Sequence, residues 1–461
     1  MKKKVIAMAL TLAMAAGILG GCGNKDNGEG KEIASKESQS TQAAGTQTAG
    51  SAQDGDSEKE PINMSVFWWG SQLRNERTQQ ILDMYAEEHP YITFDGQFSD
   101  DYWTRMATLA AGHTLPDVVQ MVSAYLVQYA EEGTLVDLTP YIEDGTIDVS
   151  NVAESVLETG KVNDGIYAIC NGINASALFY NKTLLDEAGI EIHDYMTVEE
   201  FKDICRQVYE KTGYKTSLSY GAFTSESFIQ YLLRAEGKHL YGDGALGVES
   251  AEELKPFFQL YEDGMKEGWH LDPGLYVERT RGQVQEDPMV YGSSPENMSW
   301  CGFYASNQLV AMQSAAPEGT DIALTTFPTS DAKASLWLNP SQFFCVSTDS
   351  QNPDEAAALI NYITNSVECN NVLLGERGVP ISSVVAESIA ENQSADDQEV
   401  VDYINNVVTP NCSTIDAPAP SSGSEVVSLL DSLTEKVMYQ ELTAQQAAEQ
   451  FFEQANAILA K

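Results

Sequence analysis

The sequence predicts an α/β protein whose folded part is divided into two lobes. Between residues 62 and 141, apolar runs of strand length alternate with segments of helical periodicity, which is typical of a parallel sheet with crossover helices. Of the 461 residues, about 400 follow the first 61. Because single hydrophobic cores stop growing at roughly 250–300 residues, two lobes are expected.

The first strand, turn and helix carry the strongest binding signal. Residues 64–69 form an apolar, aromatic run that breaks at Gly70 and continues into a segment of helical periodicity. In open α/β sheets, ligands bind beyond the carboxyl ends of strands. Two tryptophans beside Gln72 and Arg74 offer a flat apolar surface next to hydrogen-bond donors, which suits a sugar ring. Because strand residues alternate between faces, one tryptophan of the pair is expected in the core.

The first 61 residues predict export and lipid anchoring. Three lysines precede an apolar run, residues 5–19, that is too short to span a membrane, and Gly-Gly-Cys22 follows. This order resembles the lipobox of bacterial lipoproteins, in which the cysteine carries the lipid; the alternative is an ordinary signal peptide with an incidental cysteine. Residues 1–21 are therefore predicted to be a signal peptide. Residues 22–61, which contain no aromatic side chain, are predicted to be a disordered tether.

Composition excludes several classes of partner. The formal net charge of −42 repels nucleic acid and anionic membranes. Apart from Cys22, the cysteines show neither CxxC nor metal-ligand spacing, so they are predicted to be small buried hydrophobes, with one or two disulfides left open. These are Cys170, Cys205, Cys301, Cys345, Cys369 and Cys412. We expect no metal and no other cofactor.

Beyond residue 165, the signals predict a second α/β lobe. One helix ends at Gly189, and the next begins with a capping box formed by Thr197 and Glu200. The last helix carries one continuous apolar face and is predicted to be packed. Further strands are predicted at residues 321–327 and 341–347, and further helices at residues 353–365 and 443–460.

Five short segments occur along the chain in a characteristic order. They are Asp101-Tyr102-Trp103, Leu115-Pro116-Asp117-Val118, Gly133–Tyr141, Phe179-Tyr180-Asn181-Lys182 and Thr197–Phe201. Together they resemble the family-1 extracellular solute-binding proteins of ABC sugar importers, over essentially all of Ile62 to Lys461. The Trp68-Trp69-Gly70-Ser71-Gln72 run, followed by Arg74, resembles an oligosaccharide-binding subgroup that includes binders of pectin fragments such as rhamnogalacturonan.

The resemblance implies a two-lobe periplasmic-binding-protein-like fold, with hinge strands and a ligand cleft between the lobes. It also implies an extracytoplasmic monomer that delivers carbohydrate to ABC permease subunits and touches the membrane only through lipid on Cys22. The chain would cross between the lobes near residues 171–175, 339–341 and 378–381. The implied lobes are residues 62–172 plus 341–378 at the N-terminal side, and residues 175–338 plus 381–461 at the C-terminal side.

The family further implies ligand contacts from the strand-end turns of the first lobe and from aromatic residues of the second. The first lobe and the first crossing would supply Trp69, Gln72, Arg74, Trp103, Gln120, Tyr125 and Asn174. The second lobe would supply Trp300 and Trp337, whereas Trp269 is predicted to lie in the core. For each tryptophan the alternative is burial in the core. For Arg74 the alternative is an ion pair with a neighbouring acid.

The rival class is an exported carbohydrate-active enzyme, such as a glycoside hydrolase. That chemistry needs two carboxylates flanking a cleft, and 68 acidic residues leave such a pair open. However, the sequence contains no GxSxG, HExxH or P-loop motif, and its five histidines are isolated. We therefore predict a binding protein with no catalytic residue.

Overall fold

The computed structural model describes residues 60–460, except Ser71, Asp100, residues 219–223 and residues 278–283. The predicted signal peptide, Cys22 and nearly all of the predicted tether lie outside these residues. The described residues all fall within one unit of the chain, Glu58–Lys461. Each helix in this part of the chain is too short or too polar to span a bilayer.

Twelve β-strands and eighteen α-helices lie within the described residues. In chain order the strands are β1 (Ile62–Trp68), β2 (Ile92–Phe98), β3 (Val118–Met121), β4 (Lys161–Val162), β5 (Gly165–Ile166), β6 (Ile169–Cys170), β7 (Ile173–Asn174), β8 (Ser176–Asn181), β9 (Cys301–Ala305), β10 (Ile322–Thr325), β11 (Asn339–Pro340) and β12 (Phe343–Val346). The helices are α1 (Gln72–Glu88), α2 (Tyr102–Ala111), α3 (Ser123–Glu131), α4 (Thr139–Glu143), α5 (Glu154–Leu157), α6 (Lys182–Ala188), α7 (Val198–Thr212), α8 (Thr224–Ala235), α9 (Lys255–Glu267), α10 (Gly274–Val277), α11 (Leu309–Ala315), α12 (Ala332–Ser335), α13 (Pro353–Asn365), α14 (Val367–Leu373), α15 (Ser383–Ala390), α16 (Ala395–Asp402), α17 (Gly423–Met438) and α18 (Ala444–Leu459).

A five-stranded sheet with the order β2-β1-β3-β12-β6 contains the strand that leads to the first predicted binding turn. β1 pairs in parallel with both β2 and β3, as the alternation of strands and helices predicts. β12 pairs antiparallel with β3 and with β6, so the complete sheet is mixed. The local pattern of the opening segment did not indicate β12, because this strand returns from a distant part of the chain.

Helix α1 packs on this sheet through the residues that its periodicity indicates. It buries Thr78, Ile81, Leu82 and Tyr85, which recur at helical spacing. In β1, Trp68 is only 1% exposed, whereas Trp69 just beyond the strand is partly exposed. The expectation that one tryptophan of the pair lies in the core is therefore confirmed.

A second, antiparallel sheet has the order β10-β8-β9. The helix that follows β8 ends at Gly189, whose φ of 61° is the left-handed conformation expected for a C-cap. Helix α7 begins with the predicted capping box, in which the side chains and backbones of Thr197 and Glu200 bond reciprocally. Helix α18 begins in the same way at Thr443. These local signals were confirmed because capping depends on residues close in sequence.

A short ladder links the regions around the two sheets. Asn174 in β7 pairs with Asn339 in β11. Ile173 also exchanges two backbone hydrogen bonds with Val379, at 2.8 and 2.9 Å. All three predicted crossing segments therefore meet at one place. The lobe boundaries given above stay a prediction.

The six cysteines beyond Cys22 are all buried and free. This confirms their predicted role as small apolar core residues and shows that none of them forms a disulfide. The described residues also contain no group of three or more histidine, cysteine, aspartate or glutamate side chains placed to hold a metal ion.

Candidate ligand-binding site

Four aromatic side chains meet at the carboxyl edge of the five-stranded sheet, and we call them the aromatic cluster: Trp69, Tyr102, Trp103 and Tyr125. Ring centroids lie 5.2 Å apart for Trp69 and Trp103, and 4.2 Å apart for Trp103 and Tyr125. Trp69 follows β1, Tyr102 and Trp103 begin α2, and Tyr125 lies in the first turn of α3. Three predicted ligand contacts, Trp69, Trp103 and Tyr125, are thus brought together.

Tyr102 is the buried member of the aromatic cluster and packs against Trp69. Its side chain is buried, its ring lies 4.7 Å from Trp69, and its hydroxyl donates to the backbone carbonyl of Gln120 at 2.6 Å. Burial raises the pKa of this hydroxyl well above its usual value, so it remains a donor at physiological pH. Trp69 and Trp103 are half-buried, and Tyr125 is 39% exposed. The cluster therefore offers fixed aromatic surface to solvent.

Gly70 shapes the turn between the aromatic cluster and α1. Its φ of +146° favours glycine, and a Cβ here would collide with the side chain of Arg74. The Nε of Arg74 donates to both carboxylate oxygens of Glu376, at 2.9 Å each. The ion-pair alternative for Arg74 is therefore present in the structure. Its partner is remote in sequence and mostly buried.

Gln120 is fully buried beneath the same turn. Its side-chain amide donates to the backbone carbonyl of Trp69 at 3.2 Å, and its oxygen accepts from Arg377 at 3.5 Å. This placement corrects the predicted role of Gln120. A side chain with no accessible surface does not present itself to a ligand, and Gln120 instead holds the turn that carries Trp69.

Two arginines, Arg74 and Arg377, pair with the carboxylate of Glu376 next to the aromatic cluster. Arg77, one turn further along α1 than Arg74, donates to the carbonyl of Leu373 at 2.6 Å. We call Arg74, Arg77, Arg377 and Glu376 the arginine cluster. Arg377 is 3% exposed, donates to Thr78 at 2.7 Å and lies 3.5 Å from Glu376. Burial lowers the pKa of Arg377 to about 10, Glu376 raises it and Arg74 lowers it. The guanidinium of Arg377 is therefore charged at neutral pH, and the three arginines outnumber the single carboxylate of the cluster.

Two further predicted contacts lie at other places in the first region. Gln72 is exposed in the first turn of α1, where its amide donates to Glu76 at 3.0 Å. Asn174 is half-buried in the β7–β11 ladder. Neither has a direct contact with the aromatic cluster among the hydrogen bonds of the described residues, and both stay predictions.

Trp300 and Trp337 lie in the core, which corrects the two predictions for the second region. Trp300 has no exposed surface, and its indole N–H donates to the hydroxyl of Thr216 at 2.9 Å. Trp337 is 4% exposed, and its N–H donates to Asn339 at 2.9 Å. Because each ring is buried and each indole N–H is hydrogen-bonded inside the protein, neither side chain offers a surface to a ligand. Trp269 is 1% exposed, as predicted for a core residue.

Sequence reasoning missed two residues that build the site. Tyr102 lies in the Asp101-Tyr102-Trp103 segment, and its place beside Trp103 at the start of a helix is the signal that could have indicated it. Arg377 donates hydrogen bonds to Thr78 and Gln120. It lies in a loop 299 residues after Thr78 in the sequence. No local pattern indicates such a contact.

The chain matches the family model described as bacterial extracellular solute-binding protein over residues 80–400. It belongs to this family. Membership implies a location outside the cytoplasm, and it accords with an aromatic site at the edge of an α/β sheet.

Solved structures also match across nearly the whole fold. An extracellular solute-binding protein family 1 member from Alicyclobacillus acidocaldarius is 25% identical, with a TM-score of 0.79, over 88% of this chain and 100% of that one. A periplasmic oligogalacturonide binding protein from Yersinia enterocolitica is 22% identical, with a TM-score of 0.70, over 86% and 99%. A de novo designed cysteine esterase is 21% identical, with a TM-score of 0.75, over 87% and 99%. The two-lobe periplasmic-binding-protein-like fold is thus confirmed.

Proposed function

We propose that this protein is the substrate-binding subunit of an ABC transporter and captures an oligosaccharide between its two lobes. The aromatic cluster carries the proposal. The rings of Trp69 and Trp103 are half-buried and tilted by 51° to each other, and Tyr125 packs against Trp103, so each partly exposed ring offers an aromatic face to the C–H-rich face of a sugar. Family membership supports delivery of the captured sugar to permease subunits.

Within this proposal, the ligand is an acidic oligosaccharide. The arginine cluster supports this class, because it concentrates positive charge in a chain whose formal net charge is −42. Gln120 contacts both Arg377 and the backbone of Trp69, so the charge lies beside the aromatic cluster. The Yersinia structure, whose protein is described as binding oligogalacturonide, has the same fold and offers a chemical precedent.

The proposal includes attachment to the membrane through lipid on Cys22 and function as a monomer. The order of lysines, apolar run, Gly-Gly and cysteine supports the anchor. Full-length protein and a Cys22→Ala variant, expressed in bacteria fed an alkyne-labelled fatty acid, test it. We expect label only on the wild-type chain, and labelling of both would contradict the assignment. Sedimentation of the chain from residue 62 onward tests the monomer.

The proposal makes the protein a binder and not an enzyme. We would titrate the chain from residue 62 onward by isothermal calorimetry with galacturonate-containing and neutral oligosaccharides, and analyse the recovered sugar by chromatography. We expect saturable binding and return of the sugar intact. Cleaved sugar would favour the glycoside hydrolase alternative, and failure of every oligosaccharide to bind would refute the proposed ligand class.

A further inference from the structure

Two amide side chains, Asn171 and Gln342, lie on the strands next to the aromatic cluster. Gln342 immediately precedes β12, and Asn171 immediately follows β6. Since β12 runs antiparallel to β3, its first residue Phe343 pairs with Met121 at the carboxyl end of β3. The backbone N–H of Asn171 donates to the carbonyl of Gln342 at 2.9 Å. The two amides therefore lie side by side at the sheet edge that carries the aromatic cluster.

Three polar atoms of these amides are buried and have no hydrogen-bond partner among the described residues. They are Nδ2 and Oδ1 of Asn171 and Oε1 of Gln342. In native proteins the large majority of buried polar side-chain atoms are hydrogen-bonded, because an unpaired group loses its hydration without compensation. Unlike Gln120, both residues are partly exposed, although these three atoms themselves are buried. Rotation of each amide about its own side-chain bonds is therefore required before a polar partner from outside the chain can pair with them.

The backbone around these amides is held firmly. The carbonyl of Gly172 accepts from the N–H of Ser341 at 2.9 Å and from its hydroxyl at 2.8 Å. A Cβ on Gly172 would collide with the backbone carbonyl of Arg377. The ends of β6 and β12 are thus fixed relative to each other. With the backbone already fixed, binding a ligand would cost only the conformational entropy of the two side chains.

We propose that Asn171 and Gln342 form an amide subsite that binds the hydroxyl edge of one sugar unit of the oligosaccharide. This inference rests on the proposed function and adds a second contact region to it. An amide places a donor beside an acceptor, and a sugar hydroxyl both donates and accepts. Two neighbouring hydroxyls therefore satisfy all three unpaired atoms.

The geometry also sets the direction in which the ligand lies. Neighbouring strands are about 4.8 Å apart, so β12 and β6 lie within about 10 Å of β3, whose end leads into the helix that carries Tyr125. One sugar unit rests on the aromatic cluster, and a second unit reaches the amide subsite. The ligand therefore extends along the sheet edge, from β1 towards the ladder formed by β7 and β11.

Asn171→Leu and Gln342→Leu test the inference, because leucine approximates the size of each amide and removes its hydrogen bonds. We would measure the Kd of the acidic or neutral oligosaccharide that the wild-type chain binds best, and the Tm of each variant without ligand. We expect Kd to rise at least tenfold in each variant. Tm should be unchanged or higher, since the substitution removes polar atoms that lack partners in the free protein.

Two further variants sharpen this test. Asn171→Ala removes both amide atoms without adding a charge, so we expect it also to weaken binding with Tm retained. Gln80→Leu, on the exposed face of α1, is the matched control, and its Kd should equal that of the wild type. If one Asn171 variant fails to fold, the other still tests that position.

The outcomes separate this inference from the proposed function. Wild-type binding with unchanged Kd in both leucine variants would overturn the amide subsite, since water would then satisfy the three atoms, and would leave the proposed function intact. A raised Kd that appears only with a lowered Tm would indicate a structural role and also overturn the subsite. If the wild-type chain binds no oligosaccharide, the proposed function fails, and the subsite fails with it.

Discussion

The aromatic cluster and the core of the second region use tryptophan in opposite ways. Trp69 follows the carboxyl end of a parallel strand and stays partly exposed. Trp300 immediately precedes the antiparallel strand β9, and it has no exposed surface. Both tryptophans lie next to the end of a strand, so proximity to a turn does not decide whether a tryptophan is exposed or buried. What distinguishes them is the packing around each ring: Trp69 lies just beyond the carboxyl edge of a parallel sheet, which is left open for ligands, whereas Trp300 is enclosed by the core.

The largest effect that this comparison predicts is on stability. Trp300→Ala should lower the free energy of unfolding by about 3–5 kcal/mol, because it removes a fully buried ring and leaves Thr216 without its indole partner. Urea denaturation of the chain without its first 61 residues measures this change. Trp103→Ala is the matched control and should lose less than half as much. Equal losses would show that the two tryptophans do not differ in structural role.

The second prediction uses pH to test whether His270, in the core of the second region, is shielded from water. His270 is buried beside Trp269, and its Nδ1–H donates to the carbonyl of Leu271 at 2.9 Å while Nε2 accepts from the Leu218 N–H at 3.4 Å. Both bonds fit a neutral imidazole. Burial, together with the smaller effect of the charge on Lys215, lowers the pKa of His270 to about 4, although the hydrogen bond to Leu271 opposes this shift.

The sign of the pH effect follows from this lowered pKa. The unfolded chain takes up a proton near pH 6.5 and the folded chain does so only near pH 4, so stability is lost as pH falls between these values. The loss should approach about 3 kcal/mol. It is measured as the difference in urea unfolding between wild type and His270→Gln from pH 7 to pH 4. Equal pH dependence of unfolding in the two proteins over this range would contradict the prediction.

The sequence anticipated the parts of the fold that depend on neighbouring residues. The capping box at Thr197, the left-handed Gly189 and the buried face of α1 all follow from local spacing. In the site, the turn after β1 was predicted because an aromatic run ends at a glycine. The family resemblance added Trp103 and Tyr125, whose meeting with Trp69 depends on how three segments fold together.

What the sequence did not show depends on contacts between distant residues. Trp300 and Trp337 have the same side chain as Trp69, and only the surrounding packing distinguishes core from surface. Arg377 and Glu376 reach the first turn from a remote loop, so their pairing with Arg74 has no local pattern. The antiparallel pairing of β12 has the same origin, because register between distant strands is set by the complete core.

The third prediction concerns the partly exposed tryptophans of the aromatic cluster. Trp103→Ala should weaken binding of the preferred oligosaccharide by about 2 kcal/mol, or roughly 30-fold in Kd, since a stacking ring at the centre of a site carries much of the affinity. Trp103→Phe keeps an aromatic face and should lose less than Trp103→Ala. Isothermal calorimetry measures both. If alanine and phenylalanine cost the same affinity, the ring does not stack on the sugar.

The smallest predicted effect concerns charge beside the aromatic cluster. Arg74→Ala removes one of the three positive charges of the arginine cluster, so it should weaken binding of acidic oligosaccharides by about 1 kcal/mol and leave binding of neutral ones nearly unchanged. The difference should shrink at high salt, because screening acts on this term and not on stacking. Equal losses for acidic and neutral ligands would mean that Arg74 acts only through the shape of the Gly70 turn.

Glu376→Gln provides the opposite change at the same place. It keeps the size of the side chain and removes the only carboxylate of the arginine cluster, so acidic ligands should bind more tightly and neutral ones equally well. Opposite signs in Arg74→Ala and Glu376→Gln cannot arise from lost packing, since both substitutions disrupt the same ion pair. A fall in acidic-ligand affinity in both variants would show that the intact pair supports the turn and that its net charge does not select the ligand.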